Sequence, residues 1–204
     1  MKKFVIILFT AALIFSASFA SAEGPYVSGN IGATMSNDAT TSIVGISGTA
    51  DIEYDTGFSF GGALGYDLGN NTRVEGEVAY HTADLDRVSG PGGSLALTGE
   101  LDVLSFLVNG YYDIKVDAPV TPFITGGIGF ANIEIADGDD SVDDNVFAYQ
   151  LGAGLSYAVD NQMTINFGYR YMSTSDPEFE DSGVTMESEY GSHNFYVGLR
   201  YPIK

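Results

Sequence analysis

The sequence predicts an all-β protein, an eight-stranded antiparallel up-and-down transmembrane β-barrel preceded by a cleaved signal peptide. Three observations carry this reading. Eight segments of about ten residues alternate apolar with polar or small side chains, the length a tilted strand needs to cross a bilayer. The connections between them alternate long and short. An export signal opens the chain, which runs to 204 residues and contains no cysteine.

Composition narrows the field. Apolar residues make up 45% and charged residues 17%, below the roughly 25% of an average soluble protein. Acidic residues outnumber basic ones 27 to 8, a net charge of -19. A phosphate backbone needs a basic partner, so nucleic acid is not an expected ligand. Without cysteine there are no disulfides, thiolate metal sites or cysteine nucleophiles.

The elements follow in order. Lys2 and Lys3 precede an apolar run from Phe4 to Phe15, and small residues end in Ala20-Ser21-Ala22. This is a secretory signal with its cut between Ala22 and Glu23, so residues 1–22 are the signal and 23–204 the barrel domain. The apolar run is shorter than the ~20 residues of a spanning helix. Losing Lys2 and Lys3 takes the charge from -19 to -21.

The first strand is read over Tyr26–Met35. In the second, Phe58, Phe60, Gly62, Leu64, Tyr66 and Leu68 alternate with Ser59, Gly61, Ala63, Gly65 and Asp67. In the third, Val74, Gly76, Val78 and Tyr80 alternate with Arg73, Glu75, Glu77, Ala79 and His81. The fourth and fifth, Val103–Ile114 and Pro122–Ile133, alternate less cleanly. The sixth, seventh and eighth are Phe147–Val159, Met163–Met172 and Asn194–Tyr201, each with one greasy and one polar or small face.

Residues 69–72, 115–121 and 160–162 make short connections; 36–57, 82–99, 134–145 and 173–191 make long ones. Outer-membrane barrels place short turns in the periplasm and long loops outside. A hairpin around Ile43–Ile46 would raise the count to ten strands. A soluble sandwich also alternates, but two features favour lipid. The polar face is rich in Gly, Ala, Ser and Asn, as a narrow lumen requires. Tyr66, Tyr80, Tyr112, Tyr157, Tyr171 and Tyr201 sit near strand ends, where aromatic girdles meet the membrane interfaces.

Several segments resemble the small outer-membrane β-barrel proteins of Gram-negative bacteria: opacity-type surface antigens, outer-membrane protein X and the barrel of outer-membrane protein A. They are residues 26–32 (YVSGNIG), 73–77 (RVEGE), 109–113 (NGYYD), 122–130 (PFITGGIGF) and the closing strand. The resemblance covers roughly residues 24–201. It implies location in the outer membrane, contact with its lipid and lipopolysaccharide, and assembly by the barrel-insertion machinery. That machinery reads a closing strand ending on an aromatic residue. Phe195, Val197, Leu199 and Tyr201 supply the signal here, and Pro202-Ile203-Lys204 follow it, a departure from the pattern.

Strand parity turns Arg73, Glu75, Glu77, Asn109, Gln150, Asn166, Arg170 and Arg200 inward. Charges confined in so narrow a lumen are expected to pair, forming a polar network that fills it. One long connection is acidic, with Asp137, Asp139, Asp140, Asp143 and Asp144. Counted from Asp137, the sixth position is Val142 and the twelfth Ala148, so the calcium-loop motif fails and only weak divalent-cation binding is expected. The only histidines are His81 and His193. Both read as interface or loop residues, so no catalytic constellation, metal centre or cofactor is predicted.

The expected function is that of a non-enzymatic surface barrel, structural or adhesive and monomeric, whose acidic loops meet a host or environmental ligand. A small cation-preferring channel is the alternative. A lipid-modifying enzyme is the third reading.

Overall fold

The computed structural model describes residues 24–37, 39–42, 49–90, 93–96, 99–137, 140–160, 162–175, 178–181, 184–187 and 190–203. The signal segment and its cleavage site lie outside these residues. Eight long strands form one closed wall: β1 (Gly24–Ser36), β2 (Gly57–Gly69), β3 (Thr72–Gly90), β4 (Glu100–Asp113), β5 (Val120–Asp137), β6 (Asp140–Ala158), β7 (Thr164–Thr174) and β8 (Gly191–Pro202). Each pairs antiparallel with its neighbours in sequence, and β8 closes onto β1 from Tyr26↔Pro202 to Ser36↔Ser192.

The register sets the geometry. Paired residues lead around the wall from Tyr26 through Gly65, Glu75, Asn109, Gly127, Gln150, Met172 and Ser192 to Ser36. The path returns to β1 ten residues beyond its start. With a rise of ~3.3 Å and a strand spacing of ~4.8 Å, eight strands so offset tilt by about 40° and enclose a backbone radius of about 8 Å. That radius leaves room for side chains and little else.

Alternation decides which side meets lipid. Ile31, Leu64, Ile128, Leu151, Phe167, Phe195, Val197, Leu199 and Tyr201 all point outward and are exposed. Closure pairs the backbone across every seam, as a hydrocarbon environment demands. The turn from β2 to β3 is tight. Gly69, Asn70 and Asn71 all take positive φ (71°, 51° and 67°), a conformation open to Gly and Asn. The Asp67 carboxylate accepts the Gly69 N–H at 3.0 Å and steadies the turn.

The strands run further than the sequence reading allowed. Residues 82–99 and 134–145, read as loops, are largely paired: β3 continues to Gly90, and β5 and β6 pair to Asp137↔Asp140. Alternation persists there, but the outward positions become Asp84, Glu100, Asp102, Glu134 and Asp143. Charged outward residues are compatible with a strand that has left the hydrocarbon. Within 36–57, the short strands Ala39–Ser42 and Thr49–Tyr54 form a hairpin, with Ile43–Ile46 outside the described residues. This hairpin adds no strands to the wall, because β1 pairs directly with β2. It leans on the extension of β3, from Asp51↔Ser89 to Tyr54↔Leu85.

Candidate functional site

The barrel interior is the one place where charged residues are gathered and buried among the described residues. Parity brings Arg73, Glu75, Glu77, Asn109, Gln150 and Arg170 there, all buried. Asn166 and Arg200 point the same way and are half-buried near the short-turn end.

Two ion-pair layers occupy the lower lumen. In the first, Arg73 donates through Nε and Nη2 to the two oxygens of Asp113, each at 2.8 Å. Its Nη1 lies 3.7 Å from Glu75 Oε1, which accepts the Tyr26 hydroxyl at 2.8 Å. The guanidinium stacks 4.4 Å from the Tyr111 ring centroid. In the second layer, Arg170 Nη1 donates to both oxygens of Glu77 at 2.9 and 2.7 Å, and Nη2 donates to the Tyr111 hydroxyl at 3.0 Å. Arg170 also lies 4.2 Å over the Tyr196 ring. Tyr111 therefore touches both layers. Asp113, Tyr26, Tyr111 and Tyr196 complete sites for which the sequence reading named only the arginines and glutamates.

The large side chains fit because small ones face them. A Cβ on Gly168 would collide with Tyr196 Cζ, because the phenol lies across that glycine. Gln150 Nε2 donates to Asn109 Oδ1 at 2.6 Å, and Ser156 Oγ donates to Asn166 Oδ1 at 2.7 Å. A cavity of ≈ 20 Å³ remains, lined by Ser28, Glu75, Tyr111, Asn166 and Tyr196 among others, room for about one water.

Above these layers the interior changes character. Leu101, Val103, Leu107, Ala131, Ile133, Val146, Ala148, Met172 and Tyr190 form one buried apolar cluster inside the loop end. The sequence reading foresaw a polar or small-residue lumen throughout, and this cluster corrects it. The signal was the loss of alternation in β4, where Leu101, Val103 and Leu107 make the inner face as apolar as the outer.

The histidines also differ from expectation. His81 is not an interface residue: it is buried in the lumen, its Nδ1 3.1 Å from Asn194 Oδ1 and 3.4 Å from Thr34 Oγ1. It ends the predicted third strand but not the real one. His193 is half-buried on the opposite side of the wall, stacked with Tyr169, whose hydroxyl lies 2.7 Å from its Nδ1. The wall separates the two rings.

Among the acidic residues, the side chains of Asp137, Asp139 and Asp140 lie outside the described set. Asp143 and Asp144 are neighbours on β6 and so face opposite sides of the hairpin. Asp143 accepts from Asn132 Nδ2 at 3.0 Å, and Asp144 from the Asn145 N–H at 2.7 Å. Among the described residues, no three His, Asp or Glu side chains come together as a metal site.

A closed eight-stranded antiparallel wall, apolar outside and packed with paired charges within, defines an integral outer-membrane β-barrel. The chain belongs to the outer membrane protein beta-barrel domain family, whose model matches residues 6–202. It is similar to outer membrane protein PagN of Salmonella typhimurium, 23% identical over 97% of this chain and 98% of that protein. It is also similar to major surface antigen 4 of Anaplasma marginale, 26% identical over 70% of this chain and 61% of the antigen. Among solved structures, Neisserial surface protein A matches with a TM-score of 0.62 at 19% identity, over 90% of this chain and 99% of that one. OprG of Pseudomonas aeruginosa matches at 0.57 and 15% identity, over 91% and 99%. These structures share the fold. The protein resides in the outer membrane of a Gram-negative cell.

Proposed function

We propose that the protein is a non-enzymatic surface barrel, structural or adhesive, with a filled lumen and an acidic face toward the exterior. The observation that carries this reading is the packing of the interior. Two buried ion-pair layers, the aromatic rings stacked on them and the apolar cluster above occupy the interior, and the cavity bounded by Ser28, Glu75 and Tyr196 has room for about one water. An interior so filled is a scaffold rather than a pore. The outward carboxylates of Asp84, Glu100, Asp102, Glu134 and Asp143 give the loop end a negative surface suited to a cationic host or environmental ligand. A surface antigen among the relatives agrees with exposure there. His81 and His193, divided by the wall, offer no paired acid and base, which supports a non-enzymatic role. Assembly runs through the insertion machinery, with the closing strand as its signal, and the barrel works as a monomer.

Single-channel recording of the refolded protein in a planar bilayer tests the reading, with the Glu75→Ala/Glu77→Ala pair alongside. A folded wild-type barrel that stays silent is the expected result. Discrete cation-selective steps altered by the pair would overturn it in favour of a channel.

A further inference from the structure

The lipid face of the wall differs from side to side at its loop end, and the register fixes the heights. His193 pairs with Tyr171, and the row runs on through Leu151, Gly126 and Gly110 to Val74. At a tilt of about 40° and a strand spacing of ~4.8 Å, each step along that row descends by about 3 Å. Val74, five strands from His193, therefore lies about 15 Å lower, and Tyr80, six residues farther up β3, returns to the level of His193. Down β8, Tyr201 is eight residues and about 20 Å below, against an apolar band about 25 Å tall. His193 thus stands in the loop-side girdle with Tyr80.

That girdle is where the phosphorylated sugars of lipopolysaccharide meet the wall, and no lysine or arginine awaits them there. Lys2 and Lys3 precede the wall, Arg73, Arg170 and Arg200 enter the lumen, Lys115 lies at the short-turn end and Lys204 ends the chain. Arg87 is farther out on the β3 extension, paired with Glu53 and Ala96. On the β3 to β6 side, Asp102 pairs with Thr82 and Glu134, and Glu134 with Asp143, a carboxylate row just above the girdle that repels a polyanion. The β7–β8–β1 side is the opposite case, because those three strands contain no Asp or Glu. His193 lies on that side, and it is the only girdle side chain able to carry positive charge.

Its neighbours hold it. The ring stacks on Tyr169 with centroids 5.9 Å apart, lies 5.2 Å from Tyr171, and has Nδ1 2.7 Å from the Tyr169 hydroxyl. With that hydroxyl donating to Nδ1, the neutral ring carries its proton on Nε2. Nε2 meets no partner among the described residues. Two residues up β8, Asn37 and Tyr171 lay their polar ends over Gly191, where a Cβ would meet Asn37 Nδ2 at 2.7 Å and the Tyr171 hydroxyl at 2.9 Å. The Asn37 backbone N–H donates to Gly191 O at 2.8 Å, and its side chain is exposed. Three side-chain donors therefore gather on neighbouring strands.

We propose that the outer face of β7, β8 and β1 is a docking site for lipopolysaccharide, in which His193 Nε2, Asn37 Nδ2 and the Tyr171 hydroxyl donate to a phosphate and its sugar. Donation to a phosphate is charge-assisted and so stronger than a neutral bond. The Tyr169 hydroxyl fixes the imidazole for that role. The glycolipid is held on the side free of carboxylates and excluded from the side that bears them. The site lies outside the wall, so it stands whether the lumen is filled or open.

The full mature barrel, refolded in non-ionic detergent with EDTA, is titrated with diphosphoryl lipid A, with lipid A stripped of its phosphates and with phosphatidylglycerol. Saturable binding of the diphosphoryl form, at least about tenfold tighter than either other lipid, is the expected result. His193→Phe keeps a stacked ring without the donor and should weaken binding about 10- to 100-fold, the worth of a hydrogen bond to a charged group. His193→Gln returns a donor and should recover most of that loss. Asn37→Ala lies beyond the end of β1, leaves the wall untouched and should weaken binding several-fold. Tyr80→Phe, at the same level on β3, should change nothing. Wild-type affinity in folded His193→Phe and in Asn37→Ala, or phosphatidylglycerol bound as tightly as lipid A, would overturn the proposal. Binding absent in EDTA and restored by magnesium would also overturn it, moving the contact to cation bridges on Asp102 and Glu134.

Discussion

The Arg170–Glu77 pair is the sharpest test of whether the lower lumen behaves as protein interior. The side chains are 8% and 2% exposed, so solvent screening offers little relief. Breaking such a pair from one side leaves a buried charge without its partner and costs about 3–5 kcal/mol. Two charge-assisted hydrogen bonds at about 1.5–3 kcal/mol each lead to the same range. Glu77→Gln preserves shape and removes the charge. Arg170→Met keeps an unbranched side chain and removes the guanidinium. Each alone should lower the folding equilibrium constant by roughly 10²- to 10⁴-fold. The double variant should recover most of that loss, because a neutral pair of similar volume leaves no charge stranded. Urea titration in lipid vesicles measures this, followed by circular dichroism since the chain has no tryptophan. A loss under ~1 kcal/mol in both single variants, the range of exposed pairs, would refute a buried, coupled layer.

Three further outcomes are expected. Ile31, 69% exposed on the lipid side, should tolerate arginine poorly: Ile31→Arg costs about 2–4 kcal/mol in the same unfolding assay if it sits near the bilayer midplane, and a neutral result would move it to an interface. Deleting residues 195–201 removes β8's pairing to both β7 and β1, so the truncated chain should fail to reach the outer membrane; normal levels in membrane fractions would contradict this. In the turn after β6, the exposed Asp160 carboxylate accepts the Gln162 and Met163 N–H groups, which holds its pKa below its ordinary 3.8. A depressed folded pKa means that its small stabilisation is present above the unfolded value and lost as pH falls through the folded one, below about pH 4. Carboxyl NMR should place its midpoint under the ordinary value, and Asp160→Asn should abolish that part of the acid dependence.

Much of the wall was legible because its signal is local. Period-two alternation with Gly on one face and Leu, Phe or Tyr on the other survives in any eight-residue window of β2 and in β6 from Phe147 onward, and parity alone turned Glu75 and Glu77 inward. Partners were a different matter. Arg170 and Glu77 lie 93 residues apart in sequence, and they meet through the closed barrel and its ten-residue offset. That offset is the sum of eight registers, which no single strand encodes. Asp113 was missed because it closes β4 where the alternation runs out into Ile114 and Lys115. His81 was misplaced for a related reason. The third strand was ended where its outward residues turn polar, yet pairing continues beyond the hydrocarbon. The apolar cluster left a trace that could have been read: a strand largely greasy on both faces, as β4 is from Val103 to Val108, is one whose inner face also meets apolar groups.

The choice of cation inside the barrel follows from the same constraints. The chain has only 8 Lys and Arg against 27 Asp and Glu, yet three arginines enter the lumen, where Glu75, Glu77 and Asp113 balance them. A buried lysine could hold Glu77 as a point charge, but it has no planar face. Arg170 binds a carboxylate through one edge, donates to Tyr111 through another and lays its plane on Tyr196; Arg73 does the same with Asp113, Tyr26 and Tyr111. Each guanidinium thus satisfies a charge and fills volume in one residue, which a lumen of about 8 Å backbone radius requires. The acid excess is left for solvent. Outward carboxylates are found on the strand extensions, where hydration is free. A barrel of this radius cannot hold an unbalanced interior, so the negative charge is carried on the outward face of the strand extensions.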